Sequence, residues 1–310
     1  MPILFLRRHG QPQPPLRLLL AAALVLLVAP LASTPVYAQW IKYPTAGVPR
    51  HPDGTVNMTA PAPRLADGKP DLSGVWTTAD TNRRPAGALS TPKLVDVPTT
   101  APADAPKPPD LPGDPSNIVS SRFMANIGAG LSGGLPYQPW QLPVVKARTA
   151  SDAIDDPHIR CLPDHFIRAY GMPHMLKFVH TPSLLVMLNE MNASYRQVFA
   201  DGRPLPKELN PTLQGYSTAK WEGDALVIDS AGFRNDTWID WNGSVITETA
   251  KVREQIRRPD FGHLEITITV DDPKAYTKPW TVTLKQKIVV DADLIDEICL
   301  ENEFDVKRLK

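Results

Sequence analysis

Short apolar runs, separated by turn signals, recur from residue 175 to the end of the chain and constrain the fold most strongly. Their spacing of roughly 8–12 residues is typical of antiparallel barrels and sandwiches. The clearest run, 263–270, alternates strictly, so Leu264, Ile266, Ile268 and Val270 are expected to face the core. The predicted strands cover 74–76, 175–180, 184–190, 195–200, 215–221, 225–230, 249–258, 263–270, 281–290 and 294–301.

A sheet with this many antiparallel strands tends to close on itself, because closure removes its unpaired edges. We therefore predict a mainly β fold, an antiparallel meander that closes into a barrel of roughly 8–10 strands. The 34 prolines argue against a helical bundle, since they are about twice as frequent as usual and proline breaks helix interiors. One helix is predicted, over 139–153.

The part of the chain before the barrel core is predicted to be largely irregular. It divides into a signal peptide (1–38), an extended Pro/Gly-rich arm (39–73), a first barrel strand (74–84), a Pro/Gly-rich linker (85–138), and a helix with a connecting segment (139–174), followed by the barrel core (175–310). The arm contains a duplication with a period of 14 residues, in which 49–59 matches 63–73. Each copy carries an Asp-Gly pair, which predicts two equivalent turns.

The first 38 residues have the features of a secretory signal peptide. Three arginines precede an apolar run over 18–31, and Val36-Tyr37-Ala38 supplies small residues for cleavage after Ala38. This run is shorter than the about 20 residues of a membrane span, although an uncleaved anchor is the alternative. We expect a periplasmic or secreted protein without a transmembrane segment in its mature chain.

Composition and cysteine count limit the partners. The 33 basic and 33 acidic residues balance, which argues against a nucleic-acid partner. In an oxidising compartment the two cysteines, Cys161 and Cys299, are expected to form a disulfide, with two separate buried thiols as the alternative. No Cys/His ligand spacing and no nucleotide-binding motif is present in the sequence, so neither a metal nor a cofactor is predicted.

The segment Asp71-Leu72-Ser73-Gly74-Val75-Trp76 resembles the Gly-x-Trp motif that begins the first strand of lipocalins and related calycin-type barrels. The resemblance implies a lipocalin-like barrel in which Trp76 plugs the closed end under a late arginine, from Arg253, Arg257 or Arg258. The wider chain is similar to an uncharacterised family of exported bacterial proteins, which implies a periplasmic location and no particular activity. The segments that carry this similarity are 70–76, 161–163, 201–204, 221–224, 232–233, 237–238, 257–260, 272–276 and 299–303.

Loop positions predict where a site would lie. In a meander successive connections alternate between the two ends, which groups 181–183, 201–214, 231–248 and 271–280 at one mouth. The short turns 191–194, 222–224, 259–262 and 291–293 then close the other end. Binding residues favour long loops on a rigid scaffold. The candidate catalytic residues at this mouth are Asp236 and Asp240, and the candidate ligand-binding residues are Arg203, Trp238, Trp241 and Tyr276.

Three functions remain open from the sequence. The first is a lipocalin-like protein that binds a small apolar or amphipathic ligand. The second is a barrel enzyme of the isomerase, cyclase or hydratase type, which would use Asp236 and Asp240 as acid and base. The third is a structural or interaction protein that uses its arm. For the 231–248 loop the alternative to a site is an Asx turn under a hydrophobic lid.

Overall fold

The computed structural model describes residues 44–79, 82–84, 118–120, 122–151 and 153–295, all within one compact unit, Lys42–Lys310. The predicted signal peptide with its cleavage site, residues 85–117 of the predicted linker, and most of the predicted strand 294–301 lie outside the described residues. Cys299 lies outside them as well, so the Cys161–Cys299 disulfide stays a prediction.

Nine strands form a closed barrel, which confirms the predicted β-barrel. The strands of the described residues, in chain order, are β1 (Gly74–Thr78), β2 (Asn82–Arg84), β3 (Ile118–Ser120), β4 (Leu176–Thr181), β5 (Leu184–Asn189), β6 (Ser194–Phe199), β7 (Tyr216–Glu222), β8 (Ala225–Ala231), β9 (Thr237–Trp238), β10 (Val245–Ile246), β11 (Lys251–Arg257), β12 (His263–Asp271) and β13 (Trp280–Val289). The barrel order is β1-β13-β12-β11-β8-β7-β6-β5-β4, and β1 pairs with β4 to close it. Two small sheets, β2–β3 and β9–β10, stand apart from it.

The barrel interior is filled by side chains. Every barrel strand contributes to one buried apolar cluster, from Trp76 on β1 to Leu284 on β13. On β12 the burial alternates as predicted, with Leu264, Ile266 and Ile268 fully buried. Because period-2 alternation places one face of each strand inside, the apolar face of the sequence becomes the core.

The barrel departs from a pure antiparallel meander at one step, because β6 and β7 run parallel. Only Val198 with Ser217 and Phe199 with Thr218 are paired there, whereas β7 pairs with β8 over seven residues. The connection 200–215 contains three prolines, which cannot donate to a ladder, and so it does not form a hairpin strand. The connection ends at Gly215, whose φ of +65° and close approach to the Phe233 ring exclude a Cβ.

This parallel step changes the grouping of the loops. The connections 232–250 and 272–279 do lie at one end, but they share it with 190–193 rather than with 182–183. We predicted 181–183 at the end with the long loops and 191–194 at the closed end, and both predictions were wrong. Because β6 and β7 are parallel, each connection before β6 lies at the end opposite to the one that a pure meander predicts.

The inner side of the β6–β7 step is closed by an ion pair. The Arg196 guanidinium on β6 donates to Ser217 Oγ on β7, Ser230 Oγ on β8 and Glu254 on β11. Arg196 and Glu254 are 3% and 0% exposed. Side-chain hydrogen bonds thus join these strands where the backbone ladder is short.

Helices and the arm cover the two ends. The predicted helix forms α2 (Gln141–Ala150), and two short helices that were not predicted, α1 (Arg122–Ala125) and α3 (Phe166–Gly171), lie at the end with the long loops. At the other end both arm repeats form the predicted turn: Arg50 and Arg64 each donate to a glycine carbonyl four residues on. These arginines also pair with Asp291 and Asp224, so the described arm lies against the barrel.

Trp76 is fully buried, and the Arg258 guanidinium lies 4.8 Å from its ring centroid. Arg258 follows β11 directly and donates to the carbonyls of Ser73 and Phe261. Of the three candidate arginines it supplies the contact that the Gly-x-Trp resemblance implies. The relationship to lipocalins itself stays a prediction.

Candidate functional site

The two candidate catalytic carboxylates lie in opposite environments. The Asp236 side chain is 64% exposed and accepts a hydrogen bond of 2.7 Å from Arg148, at a backbone φ of +57°. Asp240 is fully buried and accepts hydrogen bonds from Ile127 N, Ser244 N and Ser244 Oγ at 3.1, 2.9 and 2.8 Å. Burial raises the pKa of Asp240 to about 6 against these hydrogen bonds. Asp240 thus caps a buried turn while Asp236 lies at the surface, and their catalytic role stays a prediction.

The aromatic residues of the same end form a lid. Trp238 is 4% exposed and lies beneath the Arg148 guanidinium, 4.4 Å from its ring centroid. The Tyr276 hydroxyl donates to Val245 O at 2.9 Å within the core. Trp241 packs against a cluster of three buried methionines. These contacts leave little of Trp238 or Tyr276 accessible to a ligand, which favours the lid interpretation.

Arg203 lies away from these residues, beside the β6–β7 step. Its guanidinium binds Asp201, lies 4.1 Å from the Phe199 ring centroid, and donates to the Tyr216 hydroxyl at 3.2 Å. Phe199 and Tyr216 stack with centroids 5.3 Å apart. The predicted ligand-binding arginine thus belongs to a different surface from the predicted tryptophans.

That surface contains a cleft of about 480 Å³ in the barrel wall, which we call the wall cleft. It lies where β6 and β7 separate beyond their two paired residues. Its lining residues are Pro163, Ala193, Ser194, Tyr195, Arg196, Gln197, Phe199, Thr212, Leu213, Gln214, Gly215, Tyr216 and Ser217.

The wall cleft combines aromatic sides with a polar base. Tyr195 is 63% exposed, the largest exposed fraction among the big apolar and aromatic side chains of the described residues. Arg196 is buried beneath it, between Glu254 and the Phe166 ring, whose centroid is 3.5 Å from its Cζ. The cleft therefore offers an accessible ring, that of Tyr195, beside the exposed amide of Gln197, as small-molecule sites combine apolar faces with a few polar groups.

A smaller polar pocket of about 100 Å³ adjoins the cleft, and the two share Pro163 and Leu213 as lining residues. The other residues that line this polar pocket are Pro157, His158, Leu162, Asp164, His165, Arg168, Arg234, Asn235, Asp236, Thr237 and Trp238.

A chain of buried charges supports one wall of the polar pocket. His158 Nδ1 lies 2.9 Å from Asp164 Oδ2, and Arg168 Nε lies 3.2 Å from Asp164 Oδ1. Arg168 also donates twice to Asp156, at 2.8 Å each. Burial alone would raise the pKa of Asp164, but Arg168 and His158 outweigh it and the pKa is lowered. The Asp164 carboxylate is thus ionised and fixes the His158 ring.

His165 is a buried residue among those that line the same pocket. Its Nδ1 accepts from Ile167 N at the start of α3, which leaves the hydrogen of the neutral ring on Nε2. Burial and the nearby Arg196 lower the pKa of His165 well below its ordinary value, so the ring stays neutral. Nε2 is buried and has no hydrogen-bond partner among the residues that the structure describes.

The candidate residues from the sequence did not include His158, Asp164, His165 or Arg168, because the histidines of the chain show no metal-ligand spacing. A signal was present: two Asp-Pro or Pro-Asp steps, each followed by a histidine, lie within 156–165. Such a concentration of acid, imidazole and proline in an irregular segment indicates a fixed polar cluster.

Among the described residues no group of three or more His, Cys, Asp or Glu side chains could hold a metal ion. No helix in the described part of the chain is both long and apolar enough to cross a membrane. No protein-family model, curated protein or solved structure matches this chain.

Proposed function

We propose that this protein binds a small amphipathic molecule in the wall cleft. The observation that carries the proposal is the parallel β6–β7 step, which opens about 480 Å³ in an otherwise closed and filled barrel. This volume falls within the roughly 300–1,000 Å³ range of small-molecule sites.

The chemistry of the lining supports an amphipathic ligand. Tyr195, Phe199 and Tyr216 supply ring faces, and Gln197, which is exposed on β6, supplies a hydrogen-bonding amide. An aromatic side chain can bury about 150–250 Å² against a partner, and buried apolar area contributes roughly 25 cal/mol per Å². Contact with one ring therefore contributes a few kcal/mol to binding.

The proposal differs from a lipocalin-like site in its location. The barrel interior is occupied by its own side chains, so the ligand would bind in the wall rather than inside. We retain the lipocalin-like relationship and a periplasmic or secreted location as proposals, which rest on the Gly-x-Trp segment and the signal-peptide features of the sequence.

The other two functions receive less support. The enzyme alternative loses its acid/base pair, because Asp236 is exposed and ion-paired while Asp240 caps a buried turn. The described part of the arm contacts its own barrel through Arg50 and Arg64, so we do not propose it as a partner-binding segment.

A cleft-filling substitution tests the proposal. Gln197 is exposed on β6 and lines the cleft, so Gln197→Trp should fill it without disturbing the core. We expect the wild type to bind 4-phenylbutan-1-ol in calorimetric titrations and Gln197→Trp to bind it at least roughly tenfold more weakly, a loss of about 1.4 kcal/mol.

The matched control is Thr283→Trp, at an exposed outward-facing position on β13, four strands from β7 in the barrel order. It should leave binding unchanged. If neither the wild type nor the control binds the alcohol, or if Gln197→Trp binds it as tightly as wild type, the wall cleft is not the binding site.

A further inference from the structure

We propose that the polar pocket binds the carboxylate of the ligand whose apolar part lies in the wall cleft, so that the preferred ligands are aryl or alkyl carboxylic acids. This inference rests on the proposed function of the cleft and adds the chemical class of the ligand. Its basis is that two of the residues lining a small cavity beside the cleft, His165 and Arg234, carry side-chain donors that no described residue engages.

The size and position of the pocket suit a head group. Its volume of about 100 Å³ is roughly a fifth of the about 480 Å³ of the wall cleft. Pro163 and Leu213 line both spaces, so a single ligand can reach from one into the other. A carboxylate with one or two methylene groups fits this space, whereas a ring belongs in the larger cleft.

His165 Nε2 is the first donor. A buried N–H without an acceptor is destabilising by about 1–3 kcal/mol, and His165 Nε2 is one of several such side-chain atoms in the described part of the chain. His165 is 1% exposed, its Nδ1 is already used to cap α3, and its ring lines the pocket. A ligand oxygen would supply the missing acceptor.

Arg234 is the second donor. It is exposed at the rim of the pocket and forms no ion pair with any residue that the structure describes. Only its backbone is engaged, through Thr212 and Thr237. A guanidinium is the side chain best suited to a carboxylate, because it can donate two parallel hydrogen bonds.

The acidic groups that face the pocket are already engaged. Asp164 is bound by Arg168 and His158, and Asp236 accepts from Arg148 at 2.7 Å. Their charges are therefore matched by neighbouring cations, while the donors at His165 and Arg234 remain open. This combination favours an anionic oxygen ligand over a cation.

The test compares an acid with its alcohol. Calorimetric titrations at neutral pH would use 4-phenylbutyrate and 4-phenylbutan-1-ol with the wild-type protein, Arg234→Gln and Arg253→Gln. Arg253 is an exposed arginine on β11 that pairs with Asp229, so Arg253→Gln is a control that removes one positive charge away from the pocket.

We expect the wild type and Arg253→Gln to bind the acid about tenfold more tightly than the alcohol, since charge-assisted hydrogen bonds are stronger than neutral ones. Arg234→Gln should lose most of this preference, with its affinity for the alcohol unchanged.

A second variant tests the buried donor. His165→Asn keeps an oxygen that can cap α3 and removes Nε2, and its folding is checked by circular dichroism and thermal unfolding. It should reduce the affinity for the acid more than for the alcohol.

Equal affinities of the wild type for acid and alcohol, or an unchanged preference in Arg234→Gln, would overturn the head-group assignment and leave the cleft proposal standing. Absence of binding by either compound would overturn both.

Discussion

At the residue scale, the buried polar groups at this end of the barrel differ in whether they have hydrogen-bond partners. Asp240 satisfies three donors and is buried, whereas His165 Nε2 is buried with none. The sequence pointed to Asp240, which lies with two tryptophans in a long loop, and did not select His165. The hydrogen bonds favour His165 over Asp240 as a ligand-binding residue. A group whose hydrogen bonds are all formed within the protein stabilises the fold, whereas a group without a partner can bind a ligand.

The raised pKa of Asp240 leads to a stability prediction. Its folded-state pKa of about 6 lies above its value of about 3.9 in an unfolded chain. Between these values the folded state holds more protons, so the contribution of Asp240 to stability is full below about pH 4 and falls as the pH rises to 6. We therefore expect Asp240→Asn to lower the free energy of unfolding more at pH 4 than at pH 7, by on the order of 2 kcal/mol.

Urea unfolding at both pH values measures this difference. Asp236→Asn, an exposed neighbour in the same loop, should change stability by under about 1 kcal/mol at either pH. A destabilisation by Asp240→Asn that is equal at pH 4 and pH 7 would contradict the account of Asp240.

At the element scale the β6–β7 step shows how the barrel tolerates a gap in its wall. Two paired residues provide little backbone connection, and Arg196 compensates by reaching β7, β8 and β11 from inside. A buried guanidinium is tolerated only when its charge and its donors are matched. Glu254, Ser217, Ser230 and the Tyr170 hydroxyl provide that match.

Glu254→Gln should therefore be strongly destabilising, by about 3–5 kcal/mol, because it leaves the Arg196 charge buried without its counterion. The measurement is the free energy of unfolding in urea. Asp229→Asn is the matched control, since Asp229 pairs with Arg253 between the neighbouring strands β8 and β11 on the exposed face. That change should be under about 1 kcal/mol.

The double variant Arg196→Met/Glu254→Leu separates charge from packing. If the unpaired charge is the cause, the double variant should be more stable than Glu254→Gln alone. A double variant less stable than Glu254→Gln would show instead that the side-chain bridge across the gap is what matters.

At the scale of the whole molecule the sequence predicted the barrel, while the predicted site residues stay a prediction. Strands such as β12 were predictable because alternating apolar and polar residues indicate a strand with one buried face. The number of such strands indicated that the sheet closes into a barrel. Alternation does not show whether a strand runs parallel or antiparallel to its neighbour. The parallel β6–β7 step and the wall cleft could therefore not be predicted. Spacing also did not reveal that Asp236 points outward while Asp240 points into the core.

If the ligand binds where β6 and β7 separate, backbone amide chemical shifts measured by NMR should change most near the wall cleft. On titration with 4-phenylbutyrate we expect the largest changes in chemical shift at 193–199 and 212–217, with smaller changes at His165 and Arg234. The largest changes at Trp238, Trp241 and Tyr276, with Tyr195 and Phe199 unchanged, would instead place the site at the long-loop end and show that the wall cleft is not the binding site.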